Sequence, residues 1–117
     1  MIWNNFLVEN KYSFSELLEY FSVSFLVSKD DVKIINSIEE ILEAKSKIVL
    51  LIEESEDFND KYLINIYFFD GMDGNVSNLK NMAKKFKMNI FLPDEESGNY
   101  RDLLLIDRFG GVRKVTM

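Results

Sequence analysis

Ile48-Val49-Leu50-Leu51-Ile52 is the stretch on which the fold turns. It is a continuous apolar run, rich in β-branched side chains, held between Lys47 and Glu53. Its length and branching suit a strand buried on both faces. Downstream the composition changes abruptly. Residues 53–60 hold five acids, Glu53, Glu54, Glu56, Asp57 and Asp60, and are expected to form a loop. Tyr62 to Phe69 is the longest strand candidate. Asp70-Gly71-Met72-Asp73-Gly74-Asn75 follows as a turn, where glycine supplies positive φ.

Upstream of the central run, Ser37 and Glu40 have the spacing of a capping box. Ile38, Ile41 and Leu42 predict the inward stripe of a helix from about Ile38 to Lys45. Val32 to Ile35 reads as a short strand after a turn at Lys29-Asp30-Asp31. Val23, Phe25 and Val27 alternate with Ser22, Ser24, Leu26 and Ser28, a pattern that predicts a further strand. A second capping box, Ser13 with Glu16, opens a helix from about Phe14 to Phe21. Phe6-Leu7-Val8 reads as the first strand.

Toward the C-terminus, Ser77 is expected to cap a helix reaching about Lys87, with Leu79, Met82, Ala83 and Phe86 inward. Asn89 to Leu92 reads as a strand and Pro93 to Tyr100 as a second acidic loop. Leu103–Ile106 and Val112–Thr116 form a hairpin across Arg108-Phe109-Gly110-Gly111. The mixture of crossovers and hairpins predicts an α/β (α+β) fold: one mixed sheet with about three helices packed on it. The 117 residues suit one domain, residues 1–117.

Composition restricts the chemistry. There is no Cys and no His, so disulfides, thiolate nucleophiles, imidazole bases and Cys- or His-ligated metals are excluded. The expectation is a protein that is not an enzyme and has no cofactor. The Asp70–Asn75 turn has the look of a calcium loop but no closing Glu follows it. The paired carboxylates Glu39/Glu40 and Glu53/Glu54 fall on solvated segments, which do not shift a pKa toward acid–base work. Lys80, Lys84, Lys85 and Lys87 make a small basic strip suited to a solvated helix face near its C-terminus. The chain carries −6 overall, so no nucleic-acid partner is expected. There is no basic start followed by an apolar run and no membrane-length segment. No membrane association is expected, and the absence of Cys favours the cytoplasm.

The charge is uneven: residues 1–60 carry −8 and residues 61–117 carry +2. The acids at 53–60 repel one another, and they flank Phe58. An aromatic among carboxylates suits the gripping of a basic protein surface, the ring supplying buried area and the charge faster encounter. Glu53, Glu54, Glu56, Asp57, Phe58 and Asp60 are thus the candidate partner-binding segment. Asp94, Glu95 and Glu96 are a second group, joined to the first if the fold brings both loops to one edge. The bland reading of both is a solvated acidic surface. Trp3, Phe6, Tyr12, Tyr20 and Tyr100 are candidates for an exposed aromatic patch or for the core.

In its size, acidity and strand–helix layout the chain resembles the small cytoplasmic immunity proteins of bacterial toxin systems, such as those of contact-dependent growth inhibition. The resemblance includes the closing run Asn89-Ile90-Phe91-Leu92-Pro93 and Leu103-Leu104-Leu105-Ile106-Asp107-Arg108-Phe109-Gly110-Gly111. It implies a partner, a cognate toxin domain that is often a nuclease with a basic cleft. Acidic side chains would stand in that cleft for the substrate's phosphates. Two rivals remain on the sequence. One is a non-catalytic adaptor or structural subunit that pairs through a free sheet edge and exposed aromatics. The other is a carboxylate-based enzyme assisted by a metal.

Overall fold

A computed structural model describes residues 1–72, 74 and 76–117. Among these, seven strands form one mixed sheet: β1 (Ile2–Glu9), β2 (Val32–Ile35), β3 (Ile48–Glu54), β4 (Lys61–Phe68), β5 (Ile90–Pro93), β6 (Asp102–Ile106) and β7 (Val112–Thr116). Their order is β2-β3-β4-β1-β5-β6-β7. Only β2 and β3 run parallel, and every other neighbour is antiparallel. Two α-helices, α1 (Phe14–Ser24) and α2 (Val76–Phe86), and a 3-10 segment at Ile38–Glu43 pack on this sheet. The expected α+β architecture, one mixed sheet with helices on it, is therefore present. No helix of the described residues is long and apolar enough to cross a membrane.

The central run behaves as its composition requires. Ile48 and Leu50 point into the main core with Phe6, Ile64, Ile66 and Phe68, beneath α1 and α2. Val49 and Leu51 point the other way and pack with Ile35, Ile41 and Tyr67. A third cluster, Leu7, Phe91, Leu103 and Leu105, lies on this second face as well, and Phe58, Leu63, Val115 and Met117 pack against it. The sheet thus has one continuous apolar face under helices and a second face with two separate apolar patches.

Several local expectations are corrected. The alternating segment from Ser22 to Val27 is not a strand: α1 runs on to Ser24. Phe21 and Phe25 stack with ring centroids 6.0 Å apart, a pairing made by i,i+4 helical spacing. Just past its C-cap Phe25, Leu26 takes φ 57°. There Leu26 N–H donates to Val23 O and Val27 N–H to Ser22 O, a Schellman closure without its usual glycine.

The helix expected over Ile38–Lys45 is a 3-10 segment, Ile38–Glu43. Only Ile41 of its expected stripe is buried, while Ile38 and Leu42 are exposed. The Glu40 carboxylate accepts from Asn36 N–H at 2.7 Å and Ser37 N–H at 2.9 Å. Ser37 Oγ also turns to that carboxylate, and Ser37 with Glu40 makes the expected capping box.

Elsewhere the bounds shift. The first strand is Ile2–Glu9 rather than Phe6–Val8, because it pairs with β4 over its full length. Glu53 and Glu54 belong to β3, not to a loop, and pair with Leu63 and Tyr62 of β4. The helix expected to begin at Ser77 begins at Val76, so Ser77 lies inside it. Asp73 and Asn75 of the expected turn lie outside the described residues. The closing hairpin forms as expected. Asp107 Oδ1 accepts from Phe109 N–H and Gly111 N–H, and Gly110 takes φ 84° at the tip.

Candidate functional site

β3 and β4 are joined by residues 55–60, a short connection stitched at both ends. Ser55 N–H donates to Lys61 O at 3.0 Å, and Phe58 N–H donates to Ser55 Oγ at 3.2 Å. This turn sends Phe58 down onto the patch of Leu7, Phe91, Leu103 and Leu105. The Arg101 guanidinium lies 5.7 Å from the Phe58 ring centre. Phe58 is therefore half-buried, and it anchors the acidic turn to the sheet.

The anchored turn makes one wall of a groove of about 500 Å³ on the sheet's second face. Register explains its floor. Across the sheet Glu53 lies beside Leu63, Leu63 beside Leu7, Leu7 beside Phe91 and Phe91 beside Leu105. A carboxylate thus stands at the end of an apolar row. Glu53, Glu54, Glu56 and Asp57 line the groove on one side, and Pro93, Tyr100 and Leu103 line it on the other. All four acids are exposed, and none makes an ion pair among the described residues.

Asp60 differs from them. Its carboxylate accepts from Lys61 Nζ at 3.1 Å. The Lys61 side chain is only 4% exposed, and its ammonium lies 4.7 Å from the Phe91 ring centre. A buried cation beside a carboxylate and an aromatic face is a mutually compensating group, so Asp60 is occupied within the fold.

The second acidic group does not join the first. The Asp94 side chain is largely buried and lies 3.9 Å from Lys114 Nζ. Glu95 lines a different pocket, of about 290 Å³, with Phe25, Phe68 and Leu79 on the helix side of the sheet, and Glu96 is exposed in the following turn. The loop from Pro93 to Tyr100 does border the groove, but through Pro93 and Tyr100 rather than its acids.

Other sequence candidates divide in the same way. Phe6 is core. Tyr20 stacks on Phe86 with ring centres 4.0 Å apart, and Tyr12 meets Tyr20 edge-on. Trp3 and Tyr100 are exposed, at 52% and 64%. Trp3 Nε1 donates to Asn65 Oδ1 at 3.3 Å. Tyr67 has its hydroxyl pKa pushed up by burial and, second, by the charge of Glu53. No group of three or more carboxylates among the described residues comes together as a metal site.

Residues absent from the sequence candidates are the apolar floor, Leu7, Leu63, Phe91 and Leu103, and the polar Asn5 beside them. Their signal in the sequence is faint. Asn5 and Leu7 share a strand face, but Phe6-Leu7-Val8 reads as core on both faces.

Comparison of the chain with protein-family models, with curated proteins and with solved structures finds no match.

Proposed function

We propose that the protein is an immunity or inhibitor protein that binds a basic cognate toxin domain and occludes its working cleft. The observation that carries this reading is the unneutralised rim formed by Glu53, Glu54, Glu56 and Asp57, set over an apolar groove. Such a groove suits lysine or arginine side chains. Their methylene stems lie on Leu63, Leu7 and Phe91 while the charged heads reach the carboxylates. The acids lie on a strand end and a stitched turn, so little freedom is lost when a partner docks. Asp94, paired with Lys114, and Asp60, paired with Lys61, support the fold rather than the contact. The role is non-catalytic and cytoplasmic, and the partner of a nuclease type would present the phosphate-binding surface that this rim mimics.

The adaptor reading draws less support. Both sheet edges, β2 and β7, are short and carry Lys33, Arg113 and Lys114. Such charges disfavour edge-to-edge pairing.

The test starts from the neighbouring gene, where a toxin domain is the expected partner, and uses that domain in the binding measurement. Reversing Glu53→Lys, Glu56→Lys and Asp57→Lys together is expected to weaken binding at least 100-fold in calorimetry and to flatten its salt dependence. Reversing Asp60→Lys alone is expected to change affinity less. Binding that ignores the triple reversal would overturn the assignment of the rim.

A further inference from the structure

The hairpin between β6 and β7 ends in a tip that is fixed in one shape. Asp107 N–H donates to Gly111 O and Gly110 N–H to Asp107 O, both at 2.9 Å. The Asp107 carboxylate accepts from Phe109 N–H and Gly111 N–H and lies 3.5 Å from the Arg113 guanidinium. This frame holds an apolar ring out into solvent. Phe109 is 81% exposed, and the Arg108 guanidinium lies 6.0 Å from its ring centre. Phenylalanine and arginine are among the residue types that interfaces favour, and on a rigid mount they lose little freedom on docking.

The surroundings of the tip are cationic. Gly110 takes φ 84°, and a Cβ there would come within 2.7 Å of Lys84 Cδ. Glycine thus lets the stem of Lys84 run against the tip. Lys80 lies one turn earlier on α2, and Lys87 directly follows the helix. None of these three lysines forms an ion pair among the described residues, and neither does Arg108.

The groove on the second face of the sheet has the opposite character. Its rim is four unpaired carboxylates, its floor is Leu7, Leu63 and Phe91, and its far wall includes the exposed Pro93 and Tyr100. Its volume of about 500 Å³ is more than a phenylalanine side chain fills. Neither Arg108 nor Phe109 lines it, and the bonds around Asp107 hold the tip where it is. The chain therefore carries a cationic aromatic plug and an anionic apolar socket that do not meet within one copy.

We propose that the Arg108–Phe109 tip of one copy docks into the acid-rimmed groove of a second copy. Phe109 packs on Tyr100 and the apolar floor, while Arg108 and Lys84 reach the rim carboxylates. Each copy carries −6, but repulsion between exposed charges is screened beyond about 8 Å at physiological salt. The facing patches decide the contact, and they are complementary. Docking covers the rim, so a basic partner must displace the tip before it can bind. The inference rests on the rim being a contact surface and adds what occupies it when that partner is absent.

The test pairs two variants. The tip variant, Arg108→Glu with Phe109→Ser, keeps its groove. The groove variant, Glu53→Lys with Glu56→Lys and Asp57→Lys, keeps its tip. In analytical ultracentrifugation the unaltered chain is expected to gain mass between micromolar and millimolar concentration. Each variant alone is expected to associate at least tenfold more weakly. Mixed, the two are expected to form a one-to-one complex, because the pair has one working tip and one working groove. That recovery also shows that both variants fold.

An unaltered chain that stays monomeric at millimolar concentration overturns the docking. So does association that persists in either variant alone, and so do two monomeric variants that ignore each other when mixed. The partner reading is tested apart from this one, with the basic toxin domain. If the groove variant loses that domain while the unaltered chain alone stays monomeric, the rim is upheld and the second copy is removed. If the two variants complement each other while toxin binding ignores the groove variant, the second copy is upheld and the toxin reading is removed.

Discussion

The hydroxyl of Tyr12 is buried and has no hydrogen-bond partner among the described residues. Burial is the main reason its pKa is pushed up to about 12, with Glu9 adding to it. An unsatisfied buried hydroxyl costs roughly 1–3 kcal/mol. Tyr12→Phe removes the hydroxyl and keeps the ring against Tyr20. It is expected to stabilise the fold by about 1 kcal/mol in urea denaturation. The sign with pH is also determined. The raised folded pKa means the contribution is complete below about 10 and is lost as pH rises toward the folded value. Tyr12→Phe should therefore soften the alkaline decline, read as the urea midpoint from pH 9 upward. Nothing in the sequence distinguished this tyrosine from the other four, because burial of one oxygen depends on what packs around it.

At the scale of elements, the crossover between the parallel pair β2 and β3 is the least regular part of the fold. Parallel strands need a long connection, usually an α-helix. Here residues 36–47 supply only a 3-10 segment, Ile38–Glu43. Of its apolar side chains Ile41 alone reaches the cluster of Ile35, Val49, Leu51 and Tyr67, while Leu42 is 88% exposed. Ile41→Ala is expected to cost about 2–4 kcal/mol and Leu42→Ala less than about 0.5 kcal/mol, both by equilibrium denaturation. Equal effects would mean the segment lies differently on the sheet. The periodicity of Ile38, Ile41 and Leu42 predicted a helix with all three inward. A helical period shows which residues could share a face, but the span between two fixed strand ends decides how many turns form. Phe21 and Phe25 show the converse. Their i,i+4 spacing was overshadowed by the two-residue alternation of Ser22 to Val27, and packing against the sheet selected the helix.

For the whole molecule, two carboxylates tie local structure to pH. Ser13 N–H lowers the Glu16 pKa first, helped by the Tyr20 hydroxyl. Asn36 N–H and then Ser37 N–H lower that of Glu40. A depressed folded pKa contributes stability that is complete above the ordinary glutamate value of about 4.3. It is lost as pH falls through the lowered folded values. The urea midpoint should fall between pH 5 and pH 3. The double variant Glu16→Ala, Glu40→Ala should start lower and fall less over that interval. A parallel fall would show that other carboxyls carry the acid sensitivity.

The fold class, the central buried strand, the closing hairpin, the capping of α1 and the crowding of acids at residues 53–60 all follow from the order of residues along the chain. Each depends on neighbours within a few positions, where periodicity and charge speak directly. The shape of the candidate site is another matter. That Asp60 and Asp94 are taken up by Lys61 and Lys114, that Phe58 anchors its turn, and that Glu53 ends an apolar row through Leu63 to Phe91 depend on strand order. Strand order brings residues dozens of positions apart within ångströms. The end of the ladder between β1 and β5 joins both levels. Pro93 is written in the sequence, but only the register of β5 against β1 turns its missing N–H toward Asn5.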